Sequence, residues 1–167
     1  MMWLPLSTAV LAASAIVGVI LAAAALQRNA RVERENRARQ IHLDYLQVAM
    51  AHPHLSGPAH IKLKTDDGAL FKVAVDVDFE KYEWFVSYLL SAAGVIWDAV
   101  GSEHIVGRLM KLQVSYHADY IALYGADRVY LKYWLERHGR EIDAGLKIAQ
   151  ERKDHERRNY DMRTVAA

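Results

Sequence analysis

The chain has 167 residues, a formal net charge of +1 and no cysteine. The lack of cysteine excludes disulfides and thiolate metal sites, and the nearly balanced charge argues against a nucleic-acid-binding role. Enough residues follow the apolar N-terminal run for one compact domain with its own core.

The N-terminal run from Trp3 to Leu26 carries no charged residue. About 24 residues at 1.5 Å per residue span roughly 36 Å, enough to cross a hydrocarbon core about 30 Å thick. We therefore predict a transmembrane anchor over residues 1–27. Ser14, Gly18 and Ala22 lie four apart on one face of this helix, a spacing that favours close packing of two helices in a membrane. Alanine-rich anchors also acquire such spacing by chance.

An arginine-rich stretch follows the run at once, and it predicts the orientation. Basic residues next to a span are normally retained in the cytoplasm. The expected topology is a single-pass protein of the bacterial inner (plasma) membrane, with the N-terminus outside and the C-terminal domain in the cytoplasm. Arg28, Arg31 and Arg34 are expected to lie at the membrane surface. The alternative is a cleaved signal peptide, since Ala22 to Ala25 offer small residues to a peptidase.

A juxtamembrane helix is predicted over residues 28–51, because no proline or glycine interrupts this segment. Pro53 ends it. A β-hairpin is predicted near 60–78, where Ile61–Thr65 and Phe71–Val77 alternate around the Asp66-Asp67-Gly68 turn.

From Glu80 the apolar residues recur at helical spacing. One helix is expected to end near Gly101, and Ser102 is expected to cap a second helix that stops at Gly125. The core-facing stripe expected in the first helix consists of Tyr82, Phe85, Val86, Leu89, Leu90, Ala93, Trp97 and Val100. The stripe expected in the second consists of Ile105, Leu109, Leu112, Tyr116 and Leu123.

A third helix is expected to start at Asp127 and to be interrupted at Gly139. Residues 52–155 then form the helical domain, and residues 156–167 a flexible basic tail. The predicted fold is therefore mainly α: a transmembrane helix followed by a small helical bundle with a β-hairpin insertion.

Two aromatic-rich segments, 82–90 and 113–120, and the His-Pro-x-Leu break at 52–55 together carry a resemblance. The region from Arg39 to Tyr133 resembles small bacterial single-pass membrane proteins that bear an uncharacterised helical cytoplasmic domain. The resemblance implies an anchor followed by a bundle. It implies no activity, and no functional residue is carried over from it.

Eight histidines invite a metal hypothesis, with His52, His54 and His117 as the candidate ligands. A zinc or iron site needs three or four converging ligands, and a histidine pair in a proline loop is more often an exposed turn. No HExxH motif, glycine-rich phosphate loop or G-x-S-x-G elbow is present in the sequence. We therefore predict no metal, no cofactor and no catalytic residue.

Trp84 and Tyr88 lie four residues apart, toward the edge of the apolar stripe. Tyrosine and tryptophan dominate interface energetics, so these two residues are the predicted partner-binding site. The predicted function is that of a membrane-anchored interaction protein, either an accessory subunit of a membrane complex or a self-associating scaffold or sensor. Its expected partners are the bilayer and a protein or a second copy, without nucleic acid. The alternative is a membrane-delivered enzyme or a histidine-based metal-binding domain.

Overall fold

The computed structural model describes residues 4–56, 79–125 and 127–165. These residues form helices and turns, and no strand occurs among them. The predicted hairpin near 60–78 lies outside the described residues. The helices are α1 (Leu4–Ala51), α2 (Pro53–Ser56), α3 (Phe79–Val100), α4 (Ile105–Tyr116), α5 (Ala118–Tyr124) and α6 (Val129–Val165). The mainly α fold predicted from the sequence is confirmed.

The chain divides into two compact units, Met1–Arg37 and Ala38–Ala167. This division falls inside the predicted juxtamembrane segment 28–51. The first unit contains the apolar part of α1. Within the described residues, α1 is the one helix that is long and apolar enough to cross a membrane, with a mean hydropathy of 2.3 in its most apolar window. This conclusion rests on length and composition.

The second unit has a core built mainly from α3. The stripe predicted for this helix is buried, apart from the half-buried Val100. Residues of α1, α4, α5 and α6 complete the core, including Tyr45, Met110, Val114, Tyr120, Ile121, Leu131 and Ile142. Helix α3 thus supplies the largest share of the described core residues, and their burial removes its apolar face from water.

Helix α3 ends where the sequence predicted. Gly101 adopts a φ of +83°, which a residue without a Cβ tolerates best, and its N–H bonds to the carbonyl of Trp97 at 2.9 Å. The next helix starts later than predicted. The residue before α4 is His104, whose side chain accepts a 3.4 Å bond from the N–H of Val106. Ser102 lies in the turn between the helices instead of capping the second one.

The predicted core face of α4 is wrong. Ile105, Leu109 and Leu112 are exposed, whereas Val106 and Met110 are buried. Both sets recur at helical spacing, so the sequence allows either face. Close backbone approach decides between them. A Cβ on Gly107 would lie 2.3 Å from the carbonyl oxygen of Gly101. The carbonyl of Gly107 accepts a 3.0 Å hydrogen bond from Nε1 of the Trp97 indole.

The last two predicted boundaries also differ. The predicted helix up to Gly125 is divided at His117 into α4 and α5. Helix α6 has its break at His138 (φ −127°, ψ 31°), one residue before the predicted Gly139. It then continues to Val165, through most of the segment that the sequence predicted as a flexible tail.

Gly94 of α3 permits the contact with α6, because a Cβ there would lie 2.1 Å from Cζ3 of Trp134. We expect Gly94→Ala to lower the free energy of unfolding by about 1–3 kcal/mol through overpacking. Gly139→Ala is the matched control, since no described atom beyond its own stretch of helix lies within 4 Å of its Cβ position and alanine favours helix. Thermal unfolding of the full chain in detergent, followed by circular dichroism, measures both. Equal melting temperatures for the two variants would contradict this packing.

Candidate interaction surface

Helix α3 presents two opposite faces. Its core face is buried, whereas its outward face carries Trp84, Tyr88 and Val95, which are 69%, 38% and 38% exposed. Ser91 lies between the last two and is half-buried. Large exposed aromatic residues grouped on one surface are typical of interaction sites.

The outward face has no charge along most of its length. Residues 84–97 contain no acidic, basic or histidine residue on any side of the helix. A helix that is apolar all round is normally buried on all sides. In the part of the chain that the structure describes, α3 is covered on only some of its sides, and the outward face remains accessible.

Tyr88 packs against the domain on its inner side. Its ring stacks on the ring of Tyr45 from α1, with centroids 6.4 Å apart and planes 25° apart. Tyr45 is buried, and its hydroxyl donates a 3.2 Å hydrogen bond to Oε1 of Gln113 in α4. Phe85 also packs on Tyr45 at 6.0 Å. A rigid aromatic side chain loses little entropy when it binds a partner, which suits Tyr88 to an anchoring role.

Charged residues stand at the two ends of this face. Lys81 is exposed at the N-terminal end. Asp98 stands at the C-terminal end, about half exposed, with Oδ2 2.6 Å from a terminal nitrogen of Arg137. This contact raises the pKa of the Arg137 guanidinium. We call the line of residues along the outward face the α3 seam; it consists of Lys81, Trp84, Tyr88, Ser91, Val95 and Asp98.

An open cavity of about 650 Å³ lies beside the C-terminal end of the seam. His138, only 6% exposed, lines it between the rings of Trp97 and Trp134, at 5.5 and 5.7 Å. Its Nε2 is 3.8 Å from Oδ1 of Asp98, too far for a hydrogen bond. The charged residues of the cavity wall are of both signs: Asp98, Glu136, Arg137, Arg140 and Glu141. Such mixed charge favours neither an anion nor a cation as ligand.

His117, one of the predicted metal candidates, is enclosed in the core and is 1% exposed. Its Nδ1 shares a 2.9 Å hydrogen bond with the hydroxyl of Tyr82, and its Nε2 has no hydrogen-bond partner among the residues that the structure describes. Burial lowers the pKa of His117 to about 3, so the imidazole is neutral at physiological pH. The same burial raises the pKa of Tyr82.

A polar cluster next to His117 joins α3, α5 and α6. The Tyr120 hydroxyl donates to Oε1 of Glu83 at 2.9 Å and lies 2.7 Å from the Tyr130 hydroxyl. Nε of Arg128 lies 2.8 Å from the same carboxylate oxygen, close enough for an ion pair although its N–H is not aligned for a hydrogen bond. Burial raises the pKa of Tyr120, and the hydrogen bonds of the cluster tie the three helices together.

The other metal candidates are not brought to His117. His52 and His54 flank Pro53 on the surface, with ring centroids 6.0 Å apart. Two exposed rings and one enclosed ring do not converge on a common point. Among the residues with described side chains, no group of three or more His, Asp or Glu could hold a metal ion.

The residues predicted to act in and at the membrane lie in α1, in the first unit. Ser14, Gly18 and Ala22 are exposed, and the Ser14 hydroxyl donates to the carbonyl of Leu11 at 2.9 Å. Arg28, Arg31 and Arg34 are exposed as well. Nε of Arg31 contacts Oε1 of Glu35 at 3.1 Å, and Nε of Arg34 donates to the Ala30 carbonyl at 3.2 Å. Their roles in helix packing and at the membrane surface stay predictions.

The structure therefore places both predicted partner-binding residues, Trp84 and Tyr88, on an exposed face. Sequence reasoning missed the other members of the seam. The signal was present, because Lys81, Trp84, Tyr88, Ser91, Val95 and Asp98 alternate in steps of three and four, as in a coiled-coil stripe.

Comparison with known proteins yields one match. The model of a family of unknown function (DUF6082) matches residues 5–61, which are less than half of the 167 residues. The matched part is similar to that family and includes α2 and most of α1, but it does not reach α3. No curated protein and no solved structure matches the chain.

The neutral, enclosed His117 makes stability depend on pH. Its pKa is about 3 in the folded chain, against an ordinary value of 6.5 for an exposed imidazole, so between these values the unfolded chain binds one more proton. The contribution of neutral His117 to the free energy of unfolding is complete above pH 6.5. It falls by up to about 1.4 kcal/mol per pH unit as the pH decreases toward 3.

Urea unfolding of the full chain in detergent at pH 7 and pH 5, followed by tryptophan fluorescence, measures this loss. His117→Gln is expected to reduce the difference between the two pH values, since its amide can still bond to Tyr82 but does not titrate. An unchanged pH dependence in that variant would show that other groups cause it.

Proposed function

We propose that this chain is a membrane-anchored interaction protein whose helical domain binds a protein through the α3 seam. The observation that carries the proposal is the 69% exposure of Trp84 on a helix face that has no charge between its two ends. Fully burying one large apolar side chain contributes about 1.5–3 kcal/mol, so covering Trp84 and Tyr88 supplies a strong drive for association.

The apolar part of α1 supports anchoring, since its length and hydropathy suit a bilayer span. The orientation we propose places the N-terminus outside and the helical domain in the cytoplasm of a bacterial cell. The arginine-rich residues 28–39 support this orientation through the tendency of basic flanks to stay inside. Within such a protein, the domain serves as an accessory subunit or as a self-associating scaffold or sensor.

A photoreactive amino acid at position 84 tests the interaction. Benzoylphenylalanine replaces Trp84 in the full chain, which is expressed in bacterial membranes and irradiated. Because the residue is exposed and aromatic, we expect the fold to be kept and an adduct heavier than one chain to form, measured by immunoblotting.

Lys132 of α6 is the matched control position, since it is exposed on another helix. Benzoylphenylalanine there is expected to give much less adduct. No adduct at position 84, or a product with the mass of a single chain, would overturn the proposal that this face binds another protein.

The orientation has a separate test that uses the absence of cysteine. Arg157→Cys, an exposed position in α6, is expected to react with a membrane-impermeant maleimide only after bacterial cells are made permeable. Met2→Cys is the control and is expected to react in intact cells. Labelling of Arg157→Cys in intact cells, or a soluble product trimmed near residue 25, would contradict the proposed topology.

A further inference from the structure

We infer that the partner of the α3 seam is a second copy of this chain, paired antiparallel through α3 of each copy. This inference rests on the proposed function and names the partner of the same face. It is carried by the self-complementary order of the six seam residues.

The seam has the geometry of a helix-pairing stripe. Its members follow steps of 3, 4, 3, 4 and 3 residues from Lys81 to Asp98, a distance of about 25 Å along the helix. Stripes with this alternation keep facing a partner helix as the two wind around each other. The stripe is opposite the core face, so pairing leaves the bundle undisturbed.

Antiparallel pairing about a two-fold axis near Leu89 and Leu90 matches the charges at the ends. Lys81 of one copy then faces Asp98 of the other, twice over by symmetry. The Asp98 carboxylate can accept from both Arg137 and the Lys81 of the other copy. Arg137 contacts Oδ2, whereas Oδ1 lies 3.8 Å from Nε2 of His138, too far for a hydrogen bond. Parallel pairing would instead place like charges together, which disfavours it.

The same register matches side-chain sizes. Trp84 of one copy faces Val95 of the other, and Tyr88 faces the small Ser91. Facing large residues with small ones is how helix layers interdigitate. In parallel register, tryptophan would face tryptophan and serine would face serine.

A bilayer surface is the other occupant to consider for an apolar helix face. Interfacial helices are rich in lysine and arginine around the apolar face. The ends of α3 carry Glu80, Glu83 and Asp98 besides Lys81, so net charge does not favour an anionic surface. The exposed stripe of α4 is a weaker candidate for self-pairing, because the exposed Arg108 interrupts it.

Cysteine cross-linking tests the register directly, since the natural chain has no thiol. Two differently tagged full-length variants, Trp84→Cys and Val95→Cys, are expressed separately and together in membranes and oxidised with copper phenanthroline. We expect a disulfide-linked dimer carrying both tags. Each variant alone should give little, because its two thiols would be about 16 Å apart along the helices, too far for a disulfide.

Leu109→Cys replaces Trp84→Cys in the control mixture, as an exposed apolar position on α4 that is expected not to cross-link. Since Trp84→Cys removes an anchor, sedimentation of cysteine-free protein in detergent gives a second measurement. Trp84→Glu is expected to raise the dimer dissociation constant at least about tenfold, and Leu109→Glu to leave it nearly unchanged.

The outcomes separate the two proposals. Efficient self-linking of Trp84→Cys alone would overturn the antiparallel register. The second-copy inference would be overturned, and the proposed function kept, by one combination of results. In that combination neither a dimer nor a cross-link forms, and the photoadduct at position 84 joins the chain to a different protein. Absence of dimer, cross-links and photoadduct, including the case in which lipid covers the face, would overturn both.

Discussion

The packing of this domain depends on the burial of α3. This helix has no charged side chain from Trp84 to Trp97, so each of its sides favours contact over exposure to water. Helix α4 covers it where Gly107 lets the backbones approach, and α6 covers it where Gly94 admits the ring of Trp134. Tyr45 closes a third side. The described helices cover these sides and leave the seam.

Burying polar groups beside α3 has a cost that hydrogen bonds only partly offset. The enclosed His117 keeps a hydrogen bond with Tyr82, yet within the described part of the chain its Nε2 finds no hydrogen-bond partner. Glu83 gathers Tyr120 and Arg128 at the edge of the core, where the ion pair stays partly solvated. These contacts tie α3 to α5 and α6 in a defined orientation. A binding surface held in a defined orientation is what a specific interface requires.

The sequence could predict which face of a helix is buried only where the helix carries a single apolar stripe. The α3 stripe led by Tyr82 and Leu89 has one apolar face with strong spacing, so its burial was predicted. Helix α4 carries two apolar stripes, and the wrong one, with Leu109, was chosen. Contacts with other parts of the fold, the approach of Gly107 to Gly101 and of Gly145 in α6 to Val114, separate them. Likewise, the seam could be recognised only after the core face of α3 was known.

Under the proposed arrangement, the membrane anchor and the seam depend on each other. The facing pairs extend along about 25 Å of helix. Copies anchored in one bilayer would meet at a high effective concentration, which strengthens a contact of this length. An outward face without charge between its two ends therefore suits an anchored chain, because association depends on how many copies share a membrane.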